Sequence, residues 1–293
     1  MRIEGTAYPR LALGIVAVSF GAILIRLAGE ASPWAIAAWR LTLAALVLIP
    51  FALRRARRTM TRATFAWSVA SGGALAAHFV LWIASFEYTT VSSSVLFMST
   101  HPVFVGIGSA IFLRERPSRA LATAIGLAAV GGALIGFGDI RFGGIALRGD
   151  LLALGGGVGA AAYFLIGRRV RRTVSLAEYA ATAYGTAAVL VLILCLATRT
   201  RLIGFAPSTT AYLVLLALVP QLIGHSTINW ALERLSASTV SVFVLGEPVV
   251  STALAVPFFA EIPGGLNLLG AALILAGIYL SLRSQEAPDD TER

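Results

Sequence analysis

Residues 92–117 read SSSVLFMSTHPVFVGIGSAIFLRERP, and residues 238–263 read STVSVFVLGEPVVSTALAVPFFAEIP. Shifted by 146 positions, the two stretches share landmarks: Ser92 falls on Ser238, Phe97 on Phe243, Pro102 on Pro248 and Val103 on Val249. Phe112 falls on Phe258, Glu115 on Glu261 and Pro117 on Pro263. The offset holds outside the pair, where Glu87 matches Glu233 and Gly131 matches Gly277. Self-similarity at a fixed offset marks a doubled unit, so the fold is to be read as two copies of one plan.

Composition says where that unit resides. Hydrophobic residues make up 58% of the 293 positions and charged residues 13%, with a mean hydropathy of +0.85. Soluble domains carry about 25% charged residues, and the apolar runs here reach the ~20 residues that a membrane span needs. Ten spans are expected, at about 11–27, 33–53, 64–86, 91–113, 119–137, 149–169, 176–197, 209–231, 237–259 and 264–282. The first run has no cleavage pattern after it and is read as a retained span. The lone cysteine, Cys195, lies in an apolar run and has no disulfide partner in the chain, so a buried thiol is expected. The residues after Arg283, SQEAPDDTER, are polar and acidic, and 284–293 is expected to be a disordered cytoplasmic tail.

All 23 basic residues are arginines, and the net charge is +9. In a soluble chain this balance would point to nucleic acid. Here the arginines cluster between apolar runs and read as topology. With the N-terminus in the cytoplasm, 17 fall in inside segments (Arg54, Arg55, Arg57, Arg58 and Arg62 form the densest group), five fall outside, and Arg40 lies within a span. That positive-inside bias places both termini in the cytoplasm. Five spans per copy is an odd number, so the second copy enters the membrane inverted. Many secondary transporters follow this plan, with the substrate near midplane where the repeats meet. The repeats are expected at 8–138 and 149–283.

Four features together resemble the EamA type of the drug/metabolite transporter superfamily over about residues 8–283. They are the five-plus-five spans, Trp39-Arg40 early in span 2, Glu247-Pro248-Val-Val in span 9, and Phe-Leu-Arg-Glu-Arg-Pro ending span 4. Within that superfamily the sequence is most similar to YddG-type bacterial amino-acid exporters. The resemblance implies a basket-like bundle in the bacterial inner membrane. Spans 3, 4, 8 and 9, with 1, 2, 6 and 7, would surround a central cavity, and spans 5 and 10 would be peripheral. It also implies that Glu-Pro is a superfamily feature, structural or gating in role more than selective.

The residues themselves suggest where solute and gate lie. Pro102 and Pro248 sit mid-span and disturb the carbonyls four residues back, Met98 and Val244. A carbonyl freed at that depth must find a partner or line a wet cavity. His101 and Glu247 precede these prolines, each roughly 15 Å into the membrane at 1.5 Å per residue. An ionisable group there marks a pathway by default. Either could relay a proton or hold a substrate ammonium, and either could instead be a neutral residue that sets packing. His78 and Trp82 share a helix face and suit an aromatic or amphipathic solute, although Trp82 could equally anchor at the interface. Gln221, His225 and Asn229 form a polar stripe on span 8, either cavity wall or interhelical glue. Tyr163 is a further wall candidate. It follows Gly155, Gly156, Gly157 and Gly159, which allow close helix packing. Arg40 could snorkel outward, pair with Glu247, cap a broken carbonyl or meet a substrate carboxylate.

Signatures of metalloproteases, serine hydrolases, redox dithiols and phosphate-binding loops are absent from the sequence. The expected protein is therefore not an enzyme and needs no cofactor or metal. It is expected to export small amphipathic metabolites, amino acids including aromatic ones, by alternating access, with Pro102, Glu247, Pro248 and Arg40 serving gating or coupling. Its partners would be the small-molecule substrate and the bilayer, without nucleic acid. The alternative on the same fold is a proton-coupled exporter of drugs or cationic compounds. From another class comes a membrane sensor that has lost transport.

Overall fold

In a computed structural model the described residues are 7–54, 59–89, 91–136, 144–260 and 262–286. Glu261, Arg55, Arg57, Arg58 and tail residues 287–293, all used in the sequence reading, lie outside them, as do three more of the counted arginines, Arg2, Arg141 and Arg293. The described residues are all-helical. In order they form α1 (Ala7–Leu27), α2 (Pro33–Leu53), α3 (Arg62–Ser85), α4 (Val91–Met98) and α5 (His101–Gly108), which runs into a π-helical turn (Ser109–Leu113). Next come α6 (Arg119–Gly136), α7 (Ile145–Arg171), α8 (Leu176–Ala197) and α9 (Pro207–Leu216), then a second π-helical stretch (Ala217–His225) that leads into α10 (Ser226–Ala231). The chain closes with α11 (Ala237–Val244), α12 (Gly246–Phe259) and α13 (Gly265–Glu286).

The helix starts follow from local chemistry. Four N-terminal backbone N–H groups of any helix lack an internal acceptor, and a hydroxyl at the cap supplies one. Ser32 caps α2 by accepting from the Ala35 N–H, with Pro33 at the first position. Thr61 and Thr64 cap α3 reciprocally. Ser175 caps α8 and Ser236 caps α11.

Among the described residues eight helical segments are long and apolar enough to cross a membrane, whereas the sequence reading expects ten. The difference lies at 91–113 and 119–137. The first of these is broken after Met98, leaving only His101–Leu113 as a shorter apolar helix, and the second yields Arg119–Ile135. α13 also continues to Glu286, beyond the boundary expected at Arg283.

The prolines do more than kink their spans. The chain stops being helical at Ser99–Thr100 and restarts at His101 with Pro102 in the first turn, and it breaks again at Leu245, three residues before Pro248. Leu245 is 146 positions after Ser99. Two helix ends show the same correspondence: Arg114 and Ala260, also 146 apart, close their helices in the left-handed conformation at φ 57° and 56°.

Packing is organised in pairs. α3 runs along α7 and α8, α2 along α8, α6 along α13, and α1 against the second π-helical stretch and α12. The α3–α7 approach depends on glycine: a Cβ at Gly159 would come within 2.9 Å of the His78 backbone nitrogen. Cys195 is fully buried, with its thiol directed at the Trp34 carbonyl at 3.6 Å. At the end of the bundle where α1 turns into α2, the Glu30 carboxylate accepts from the Ala206 N–H and the Thr209 hydroxyl, both at 3.0 Å, and pairs with Arg201 at 3.3 Å.

Two outcomes are expected. Gly159→Leu should overpack the α3–α7 contact and destabilise the fold by about 1–3 kcal/mol, read as a lower Tm of the purified protein. Glu30 is held below its ordinary value of 4.5, chiefly by the Ala206 N–H. A lowered carboxylate contributes stability that is present above its unfolded-state pKa and is lost as pH falls through the folded one. The Tm difference between wild type and Glu30→Gln should therefore favour wild type at neutral pH and close as pH is lowered below 4.5.

Candidate functional site

A cavity of about 170 Å³ lies within the bundle. Its wall is built from the later part of α1, the start of α2, the α3 face that carries Leu75, His78, Phe79 and Trp82, and the α4–α5 break. α7 near Tyr163 and Phe164, the α10 region, and the α11–α12 break complete it. All three histidines of the chain are in this wall, with Arg40 and Glu247. Among the lining residues none comes from α6, α8 or α13. For α8, expected in the wall as span 7, the reason is packing: α2 and α3 stand between it and the cavity.

The two helix breaks each contribute. Met98, whose carbonyl the proline displaces, is partnered by His101 Nδ1 at 3.1 Å. The side chain just before Pro102 thus accounts for the backbone group that Pro102 disturbs. At the other break Val244 lies in the cavity wall. Ser19 of α1 donates to the Glu247 carbonyl at 3.3 Å, and Ser251 donates to the Ser19 carbonyl at 3.1 Å. Pro248 lines the cavity, whereas Pro102 is buried behind it.

The aromatic wall is an ordered stack. The His78 and Trp82 rings lie parallel (6°) with centroids 5.9 Å apart, Phe86 meets Trp82 edge-on at 5.5 Å, and Phe79 lies against His225 at 5.8 Å. His78 Nδ1 is 3.0 Å from the Gly156 carbonyl, which can only accept, so Nδ1 carries the proton and Nε2 of the neutral ring is left as an acceptor. Phe164 packs edge-on against His101. Phe79 and Phe164 were not singled out in the sequence. Phe79 had a signal, since Leu75, His78, Phe79 and Trp82 follow the i, i+3, i+4, i+7 pattern of one helix face.

Arg40 does not snorkel. It is 3% exposed, its Nε donates to Gln221 Oε1 at 3.0 Å, and its guanidinium lies 4.4 Å above the Phe79 ring. It forms no direct ion pair with Glu247, although each feels the other's charge. Of the two readings of the polar stripe, cavity wall or interhelical contact, His225 takes the first and Gln221 and Asn229 the second. Successive turns of this segment are π-helical up to His225, which widens the spacing assumed for fourth positions. Gln221 gives its Oε1 to Arg40, while its Nε2 is buried without a partner among the described residues. Asn229 Oδ1 accepts from the Tyr163 hydroxyl at 2.8 Å, and its Nδ2 donates to the Tyr184 hydroxyl at 3.0 Å. Tyr163 therefore offers the cavity its ring, with its hydroxyl directed away into a buried layer that also holds Tyr179 bonded to Ser71 at 2.6 Å.

Beyond that layer, the arginine-rich end of the bundle is cross-linked by ion pairs. Arg168 Nε donates to Glu115 at 3.0 Å, and its Nη1 donates to the carbonyls of Leu232 and Glu233 at 3.0 and 3.1 Å. Arg172 also pairs with Glu115, and Arg171 pairs with Glu233. These contacts join the end of the α5 segment, α7 and the α10–α11 turn.

The model of the EamA-like transporter family matches residues 8–137 and again 147–283. The chain belongs to that family. Its members are membrane transporters of small molecules and not enzymes. The multi-pass helical architecture and the cavity within the bundle agree with that membership. Twenty-nine chains of solved structures match this protein. One of them, described only as "Crystal structure of protein", superimposes with a TM-score of 0.83 at 20% identity over 97% of this chain and 99% of its own, a likeness of fold. No curated protein matches.

Removing the Tyr163 hydroxyl tests the layer under the cavity. Tyr163→Phe leaves the buried Asn229 Oδ1 without its donor, and a cost of about 1–3 kcal/mol is expected, measured as a lower Tm with the helical content unchanged.

Proposed function

We propose that this EamA-like transporter exports amino acids, aromatic ones included, as YddG-type exporters of the bacterial inner membrane do. It would work by alternating access through the central cavity. The observation that carries the reading is the cavity wall, in which an aromatic stack on α3 faces a space that also holds one buried guanidinium and one carboxylate. The volume agrees in scale: an engineered cavity of about 150 Å³ accepts benzene, so about 170 Å³ suits a side-chain ring. Apolar walls with a few polar groups give loose selectivity, which suits an exporter of several related metabolites.

The wider architecture we propose is ten spans, as two inverted five-helix repeats with both termini in the cytoplasm. The paired helix breaks and the paired left-handed caps, each 146 positions apart, support the repeats, as do the two family matches along the chain. The arginine-rich end tied by Arg168, Arg171 and Arg172 would then be the cytoplasmic one, closed here beneath the cavity. His78, Trp82, His101, Tyr163 and His225 would contact solute, with Gln221 and Asn229 behind them as supports. Pro102 and Pro248 would be the points about which the broken spans move.

Counterflow in proteoliposomes tests the reading, with labelled phenylalanine exchanged against amino acids and organic cations at two pH values. Amino-acid exchange that ignores a pH gradient is the expected result. Exchange of cations alone, driven by the gradient and lost in Glu247→Gln, would transfer the function to proton-coupled drug export.

A further inference from the structure

Arg40 is a formal charge almost entirely withdrawn from solvent, and it is under-used by the protein. Its Nε is spent on Gln221 and its face on Phe79. Among the described residues its one hydrogen bond is that from Nε, and Arg40 is part of the cavity wall. A guanidinium presents five N–H donors in a fixed fork that matches a carboxylate. Holding one that deep without an acceptor for its terminal nitrogens is costly unless something else supplies the acceptor.

Glu247 is the complementary case. It lines the same cavity at the α11–α12 break, it is half-buried, and no donor among the described residues reaches its carboxylate. The two charges act on one another without meeting in an ion pair. Apart from the histidines they are the only ionisable side chains of Arg, Lys, Asp or Glu type in the described cavity wall. The wall thus carries one positive and one negative group, each with unsatisfied capacity, beside an apolar aromatic stack.

We infer that Arg40 and Glu247 form a two-point recognition site for a zwitterion. Arg40 binds the α-carboxylate, Glu247 binds the α-ammonium, and the side chain of the solute lies against His78, Trp82 and Phe164. The inference rests on the amino-acid reading and sharpens it. Charge balance selects the zwitterion over either singly charged solute. A bound organic cation leaves Arg40 without an anion, and a bound anion does the same to Glu247, whereas a zwitterion compensates both at once. Phe79 and Gln221 act as positioning residues, because they fix the plane of the guanidinium from behind and from one edge.

The experiment is competition against labelled phenylalanine on the purified full chain in nanodiscs. The competitors are phenylalanine, phenethylamine, which lacks the carboxylate, and 3-phenylpropionate, which lacks the ammonium. Wild type should bind phenylalanine at least about tenfold more tightly than either truncated analogue, as loss of a charge-assisted hydrogen-bonded contact predicts. Arg40→Gln should weaken phenylalanine by about that factor and leave phenethylamine unchanged, and Arg40→Lys should recover part of the loss. Glu247→Gln should weaken phenylalanine and leave 3-phenylpropionate unchanged. It carries the test alone if Arg40→Gln does not fold. Equal weakening of phenylalanine and phenethylamine in Arg40→Gln would make Arg40 a structural residue and overturn the inference while the amino-acid reading stands. Wild type that binds phenethylamine as well as phenylalanine would also overturn it. Wild type that binds no phenylalanine but does bind organic cations would remove the amino-acid reading and the inference together.

Discussion

Everything in this molecule answers to one constraint: inside a bilayer a backbone polar group has no water to turn to. Long helices satisfy the constraint by themselves. The interest lies where they do not, at the α4–α5 and α11–α12 breaks, where proline removes a donor and displaces a carbonyl. At the first break His101 takes the displaced Met98 carbonyl, and at the second Ser19 and Ser251 knit α1 to the broken span. The cavity lies against both breaks. Irregular backbone at this depth and a cavity that holds a few polar groups are therefore found together.

The protein around that space is layered along the bundle. Aromatic rings and the two charges line the cavity. Beneath them is a buried layer of tyrosine hydroxyls closed by Asn229, and beyond it an arginine–glutamate lattice at the bundle end. Exposed ion pairs contribute at most about 1 kcal/mol each. Arg168 is different in kind because it also holds two backbone carbonyls of the α10–α11 turn. The ties at this end are thus several ion pairs and backbone contacts laid over a hydrogen-bonded tyrosine layer.

Much of the helical architecture was legible in the sequence because apolar runs of span length have few alternatives. The expected bounds 33–53 and 176–197 coincide with α2 and α8. Proline spacing located both breaks, but not that helix would be lost there outright. Sequence pattern was least informative on span 8. Fourth-position spacing assumes 3.6 residues per turn, and the π-helical run through Pro220 changes it, so Gln221 and Asn229 turn away from the cavity that His225 faces. Arg40 illustrates a different limit. Its burial and its stacking on Phe79 depend on contacts between α2 and α3 that leave no local trace in either segment.

The glycine-lined seam between α3 and α7 has an effect that reaches past packing. His78 is oriented by the Gly156 carbonyl, and its backbone lies in near contact with Gly159; Trp82 lies against Gly156 in the same way. The position of the aromatic wall is thus set from the back, by how closely two backbones approach. A single methyl group added on α7 would push α3 inward and take both rings with it. The shape of this cavity can therefore be altered without changing any side chain that lines it, so relatives with identical lining residues need not have the same cavity.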